Sequence, residues 1–384
     1  MYRLVLISDD DEWAKEVGSA VREVVHRILQ RDDLLHVSTL EEALADSSNP
    51  ATVAVLASAG IAGDKATDLK IEQARASSFA VVPLIRPEDD AYSVIPESIK
   101  RLNAIPWTGS SDDALAIVRI LGIAEEERRL FLSYRRTDSE QLALQIRRSL
   151  TERGYDVFLD RFSVPPGDDF QERLNTELAD KAFVLLLESM TAVGSEWVQH
   201  EVSYALAHGI AVLALSLPDA NPDGKFAVVD DAFRLQVNAS DLTGDIDSAD
   251  RRLTEDALIQ VLDEVELQAA RQLRRRREQL LGGLSDFLFQ AGARRMPVDP
   301  WAILGDLAGR DPELFLVTPR APTPYDVQLV DNLRADSGLS QCQGRVVHDV
   351  ADRDIRLQGL LDWMIEDRPL QVSSLPELAD EFGL

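Results

Sequence analysis

The chain has 384 residues, 45% of them apolar and 28% charged, with a formal net charge of −27. That length predicts about two to three domains, and the composition is that of a globular protein. The acidic balance argues against nucleic acid and anionic membrane as partners. One cysteine, Cys342, excludes an intramolecular disulfide framework and a multi-cysteine zinc site, and fits a reducing compartment. No signal-peptide pattern is found, and no apolar run nears the roughly 18 residues that span a bilayer, so a cytoplasmic setting is expected.

Residues 2–8 form an apolar run that predicts a buried parallel strand. Val17, Val21, Val24, Val25 and Ile28 follow at helical spacing, and Thr52–Leu56 and Phe79–Ile85 read as further strands. The alternation predicts a parallel sheet covered on both faces. Asp9-Asp10-Asp11 after the first strand resembles the acidic cluster of a response-regulator receiver domain. However, the strand Val53–Ser58 ends without the aspartate that would accept phosphate. An acidic loop capping the first helix is the preferred reading. Gly109–Asp113 predicts a turn leading into a helix that ends near Leu121. The run Ala124–Arg129 reads as a charged, solvated boundary between domains.

A strand is expected at Leu130–Tyr134, followed by a helix with a capping box at Thr137 and Glu140. Leu142, Ile146 and Leu150 make its apolar stripe, and Gly154 ends it. A second strand is Tyr155–Leu159, and a loop stiffened by Pro165 and Pro166 covers Asp160–Asp168. Asp169 and Glu172 open a helix with Phe170, Leu174 and Leu178 on its buried face. Phe183–Leu187 is a fully apolar strand, Ser195 is placed to cap the next helix, Gly209 to end it, and Ile210–Leu217 is another strand.

Several ordered motifs over about 90 residues resemble a TIR (Toll/interleukin-1 receptor) domain. They are Phe131-Leu132-Ser133-Tyr134, then Asp160 with the Pro166-Gly167-Asp168 turn, and last Ser195-x-Trp197-x-x-x-Glu201. Val198 and Phe170 depart from the residues common at those places. TIR domains divide into adaptors that bind one another and enzymes that cleave NAD+. A glutamate four residues after the tryptophan resembles the enzymes. That resemblance implies Glu201 as the catalytic carboxylate, with Phe131, Ser133, Arg135, Arg136, Asp160 and Trp197 on the substrate side. NAD+ would be the substrate, with no cofactor. It also implies self-assembly through TIR–TIR contacts and a role in antiphage defence or stress signalling.

The residues themselves support a site. Trp197, Glu201 and Ala205 fall on one helical face, and a carboxylate at the edge of an apolar stripe is partly desolvated. Arginine pairs bidentately with pyrophosphate, although Arg135 and Arg136 are equally compatible with the surface. Asp160 reads more readily as a loop-fixing acceptor than as a reacting group. His200 is expected to be exposed, and Tyr204 stands where a zinc-protease helix would carry its second histidine. Two other readings stay open: a TIR scaffold in which Glu201 is incidental, and a nucleotide sensor built on residues 1–122.

Residues 218–250 are expected to finish the central sheet. A helical pattern from about Asp250 to Leu281 predicts a bridging helix rather than a buried one. Arg274–Arg277 within it reads as a solvated face pairing with acidic groups, with nucleic acid or lipid as the minor alternative. Leu314–Val317, Arg345–Val347 and Leu370–Val372 predict strands, with helices around Tyr325–Leu333 and Ile355–Ile365. Cys342 reads as an exposed thiol. The expected fold class is therefore α/β. A receiver-like unit spans 1–122 and a flavodoxin-like TIR domain 128–248. A helical connector covers 250–292, and a small α/β unit of unrecognised family covers 293–384. The activating trigger and its partner would act through the flanking units.

Overall fold

The computed structural model describes the chain except residues 1, 30, 32, 46–50, 78, 101, 103, 124–126, 160–174, 176, 221–224, 231–232, 245–248, 308, 351–354 and 383–384. Three five-stranded sheets are built in chain order. In the first, β1 (Tyr2–Ile7), β2 (Leu35–Ser38), β3 (Ala51–Leu56), β4 (Ala80–Ile85) and β5 (Ile105–Pro106) are all parallel, in the order β2-β1-β3-β4-β5. Helices α1 (Asp11–Leu29), α2 (Leu40–Ala45), α3 (Lys65–Ala76), α4 (Ala91–Val94) and α5 (Ser111–Ile120) accompany it. Strands β2 and β5 are not expected from the sequence, because four- and two-residue strands leave almost no periodic signal.

The second sheet repeats that order. It contains β6 (Arg129–Ser133), β7 (Asp156–Phe158), β8 (Phe183–Glu188), β9 (Ala211–Ser216) and β10 (Arg234–Gln236), all parallel, as β10-β9-β8-β6-β7. This is the flavodoxin-like arrangement, in which the strand order reverses between the first and third strands. Helix α6 (Arg136–Glu152) follows β6, and α7 (Glu196–Ala207) joins β8 to β9. Period-two alternation divides the core: Leu130 and Leu132 face α6, while Phe131 lies on the opposite face with Val198, Val202 and Ala205 of α7.

A 36-residue helix, α8 (Glu255–Gln290), then contributes to two cores. Its first half adds Val261, Leu262, Val265, Ala269 and Leu273 to the core of the second sheet. Its second half adds Leu280, Leu284 and Leu288 to a core shared by the first and third sheets. The third sheet comprises β13 (Arg294–Asp299), β14 (Ala302–Asp306), β15 (Glu313–Val317), β16 (Gln343–His348) and β17 (Leu370–Ser374) in sequential order, antiparallel at first and parallel from β15. Its helices are α9 (Pro324–Asp336), α10 (Ile355–Ile365) and α11 (Leu375–Phe382). Between the second sheet and α8, β11 (Leu242–Thr243) and β12 (Arg252–Leu253) form a small ribbon.

Several expectations are corrected here. Helix α8 is a buried element as well as a bridge, because sheets on different sides cover its two halves, and it runs on to Gln290. The supposed solvated boundary contains buried Glu127 and Arg128, and the supposed solvated face contains buried Arg276 and Arg277. Each charge is matched across the helix. Arg277 pairs with Glu127, Arg276 with Asp349 at 2.8 Å, and Arg128 with Glu266 at 3.4 Å. Burial of unpaired charge would be prohibitive, so pairing is the condition of this packing. The capping box at Thr137 does not form: α6 begins at Arg136 and is kinked at Ser139, whose φ of −136° is not helical. Cys342 is 9% exposed, not open to solvent, because the turn it occupies is clasped by Arg334, whose Nε donates to the Cys342 carbonyl at 2.7 Å.

Candidate active site at the carboxyl edge of the second sheet

In a parallel sheet of this order, the carboxyl ends of the strands flanking the reversal form a natural crevice. Here they are the ends of β6 and β8. Ser133 is the last residue of β6 and is buried. Its hydroxyl donates to Oε2 of Glu201, which α7 presents from its second turn and which is only 4% exposed. Val198, Val202 and Ala205 press α7 against the sheet and keep water from that carboxylate. A desolvated carboxylate that accepts a buried hydroxyl is a strong electrostatic element, because it sits in a medium that screens weakly.

The other residues singled out from sequence are distributed unevenly. Phe131 is fully buried beneath α7 and stacks on Phe158 with ring centroids 5.1 Å apart, so it is core support for the crevice. Arg135 is half-buried, and its Nη1 donates to Ser195 Oγ at 2.9 Å. Ser195 occupies the N-cap position of α7, yet its side chain makes no capping bond. The expected cap is thus replaced by an arginine contact that ties the end of β6 to the start of α7. Arg136 is exposed at the first position of α6. Trp197 is 48% exposed, so the face it shares with Glu201 emerges from the core within one turn. His200 is half-buried rather than exposed, bonded through Nε2 to Asn175 Oδ1 at 3.0 Å. Asp160 and the turn Pro166-Gly167-Asp168 lie outside the described residues.

Two further buried acids at this edge were not anticipated. Asp138 accepts from the hydroxyls of Ser139 at 2.9 Å, Ser189 at 2.8 Å and Thr191. Glu188, at the end of β8, accepts the Phe226 N–H at 2.7 Å and pairs with Arg234 at 3.2 Å. In sequence Asp138 looks like an ordinary first-turn acid complementing a helix dipole. Glu188 ends a strand with no visible counter-charge nearby.

A family model described as TIR domain matches residues 130–257. This part of the chain is a TIR domain. No curated protein matches the chain. The TIR domain family includes enzymes that cleave NAD+, and TIR domains commonly self-associate. Among the described residues, no helix is long and apolar enough to cross a membrane.

A separate cleft of about 450 Å³ lies at the carboxyl edge of the first sheet, lined by Asp9, Asp10, Trp13, Ser58 and Arg86 among others. Its acids are engaged locally. Asp9 accepts from Ser58 Oγ at 2.8 Å, and Asp10 accepts from the N–H groups of Glu12 and Trp13 at 3.0 and 3.1 Å and from Arg86 at 2.8 Å. The Trp13 N–H first, with Arg86 and the Glu12 N–H as well, holds the Asp10 carboxyl below its ordinary range against the opposing effect of desolvation. The predicted capping role of this acidic loop is therefore carried by Asp10. A cleft rimmed by Asp9, Asp10, Asp11, Glu12 and Asp89 repels phosphates, which weighs against the nucleotide-sensor reading.

Proposed function

We propose that the TIR domain of this protein is an NAD+ glycohydrolase with Glu201 as its working carboxylate. The observation that supports this best is the buried Ser133–Glu201 contact at the point where strand order reverses. Cleavage of the nicotinamide–ribose bond develops positive charge on the sugar, in an oxocarbenium-like state. A fixed, desolvated carboxylate stabilises that charge more in the transition state than in the ground state. Nicotinamide departs as a neutral molecule, so no acid is needed to assist it. Water then adds to the anomeric carbon and loses a proton, giving ADP-ribose; attack by an internal group instead gives a cyclic product. Ser133 orients Glu201, and Arg135, bonded to Ser195 at the start of α7, would supply a guanidinium for the pyrophosphate. Self-assembly through TIR–TIR contacts would switch the activity on, in antiphage defence or stress signalling, inside the cytoplasm.

A non-catalytic scaffold is the competing reading. It is favoured by the exposed apolar side chains of Met190, Trp197, Leu206 and Val228 on the TIR domain. The two readings separate on one measurement. Purified protein, assembled with a crowding agent, is incubated with NAD+ and nicotinamide release is followed. Turnover by the wild type that disappears in a folded Glu201→Ala variant supports the enzyme. Equal turnover in both removes Glu201 from the chemistry, and no turnover under any assembly condition leaves the scaffold.

A further inference from the structure

Glu201 is placed by the segment that leads into its helix. Residues 189–191 leave β8, two successive turns follow, and α7 begins. Those turns are closed by Ala192 N–H to Ser189 O at 3.2 Å and Ser195 N–H to Ala192 O at 3.0 Å. A displacement of Ser189 or Thr191 is therefore passed on to the first turn of α7. Two carboxylates from elsewhere hold that segment. Asp138 takes the hydroxyls of Ser189 and Thr191, and Asp219 takes the Met190 N–H at 3.3 Å.

Both carboxylates converge on one guanidinium. Arg251 Nη1 donates to Asp219 at 2.7 Å. Its Nη2 donates to Ser139 Oγ at 2.9 Å and lies 3.8 Å from Asp138, to which Ser139 in turn donates at 2.9 Å. The Arg251 side chain is 0% exposed. A fully buried arginine is costly unless its geometry is strongly fixed, and the fork of a guanidinium reaches two carboxylates where an ammonium serves as a single point.

Arg251 also sits just before α8. The strap that carries it is stitched to α6 by Gln141 N–H to Ala249 O at 3.0 Å and by a reciprocal pair between Gln145 and Leu253 at 2.9 and 3.0 Å. Thr254 then caps α8, whose far half is buried between the other two sheets. From this geometry we infer that Arg251 is a positioning residue of the TIR site. It clamps Asp138 and Asp219, fixes 189–195, and makes the seating of Glu201 on Ser133 depend on where α8 begins. The clamp stands on its own contacts; its consequence for turnover rests on the proposed NAD+ cleavage.

The test uses the full chain with Arg251→Lys and, at the far side of the clamp, Thr191→Val. Hydrogen–deuterium exchange in Arg251→Lys is expected to quicken by about tenfold across 189–201 while α11 is unchanged. Nicotinamide release is expected to lose about tenfold to a hundredfold in kcat with KM nearly constant, as for a misplaced catalytic group. Thr191→Val should produce a smaller effect of the same kind, and the double variant should be little worse than Arg251→Lys alone. Unchanged exchange across 189–201 in both variants overturns the clamp. Exchange that quickens evenly over the whole chain also overturns it, since Arg251 would then only stabilise the fold. If Arg251→Lys fails to fold, Thr191→Val decides by the same exchange criterion. A wild type that releases no nicotinamide defeats the enzymatic reading, while the exchange comparison still decides the clamp.

Discussion

The sheets β2-β1-β3-β4-β5 and β10-β9-β8-β6-β7 share one topology, and both carry acids near the carboxyl ends of the strands around the reversal. In the first sheet those acids stay wet. Asp10 caps a helix and pairs with Arg86, and both side chains remain close to half exposed. In the TIR domain Glu201, Asp138 and Glu188 are all buried, and each meets hydroxyls, a backbone N–H or an arginine. One fold thus supplies two crevices, and the difference between them is desolvation. A carboxylate in water loses its field to screening within a few ångströms, whereas a buried and fixed one can act on a developing cation.

The sharpest way to break this contrast is to neutralise one acid at each edge. Glu201→Gln keeps the shape of the side chain and is expected to lower nicotinamide release by about 10²–10³-fold, the usual loss when a preorganised electrostatic element is removed. Asp9→Asn, at the wet edge, should leave turnover within about twofold of wild type, since nothing buried depends on it. Comparable losses from both substitutions would mean that desolvation does not separate the two crevices.

Stability should follow the same division. Glu188→Ala removes the carboxylate that pairs with the buried Arg234 guanidinium and the acceptor of the Phe226 N–H, so it is expected to cost about 3–5 kcal/mol in urea unfolding. Asp10→Asn preserves a capping oxygen and should move the urea midpoint far less. A Glu188→Ala variant as stable as wild type would show that the buried acids are held no more tightly than the wet ones.

How far the sequence discloses this contrast depends on where each partner comes from. Continuous apolar runs mark β8 and β9, and alternation marks the faces of β6, because those signals are local. Glu201 is legible through its spacing from Trp197 and Ser195. Arg251 is not, since its partners Ser139 and Asp219 lie 112 and 32 positions away along the chain and meet it only in the fold. Glu127 and Arg128 look solvated for the same reason: their counter-charges, Arg277 and Glu266, arrive 150 and 138 positions later on α8. The strand β13, Arg-Arg-Met-Pro-Val-Asp, has neither alternation nor an apolar run, and only its pairing with β14 defines it. Burial of charge is a property of pairs, and a one-dimensional pattern contains only one member at a time.

The smallest expected effect concerns pH at the wet edge. Asp10 has a folded-state pKa below its ordinary value, set first by the Trp13 N–H and aided by Arg86. A depressed carboxylate stabilises the folded state fully above its unfolded pKa, near 4. That contribution fades as the pH falls through the lower folded value. Because Asp10 stays solvated, salt should weaken the part due to Arg86 and leave the part due to the backbone N–H. Carboxyl-resolved NMR titration should therefore place the Asp10 midpoint below those of free aspartates, rising only partway towards them in high salt and again only partway in Arg86→Gln. An Asp10 that titrates at the ordinary value would mean that its cap is not formed in solution. Full recovery in high salt would assign the whole shift to Arg86. Either outcome would redraw this edge as a set of independent surface charges rather than a capped loop.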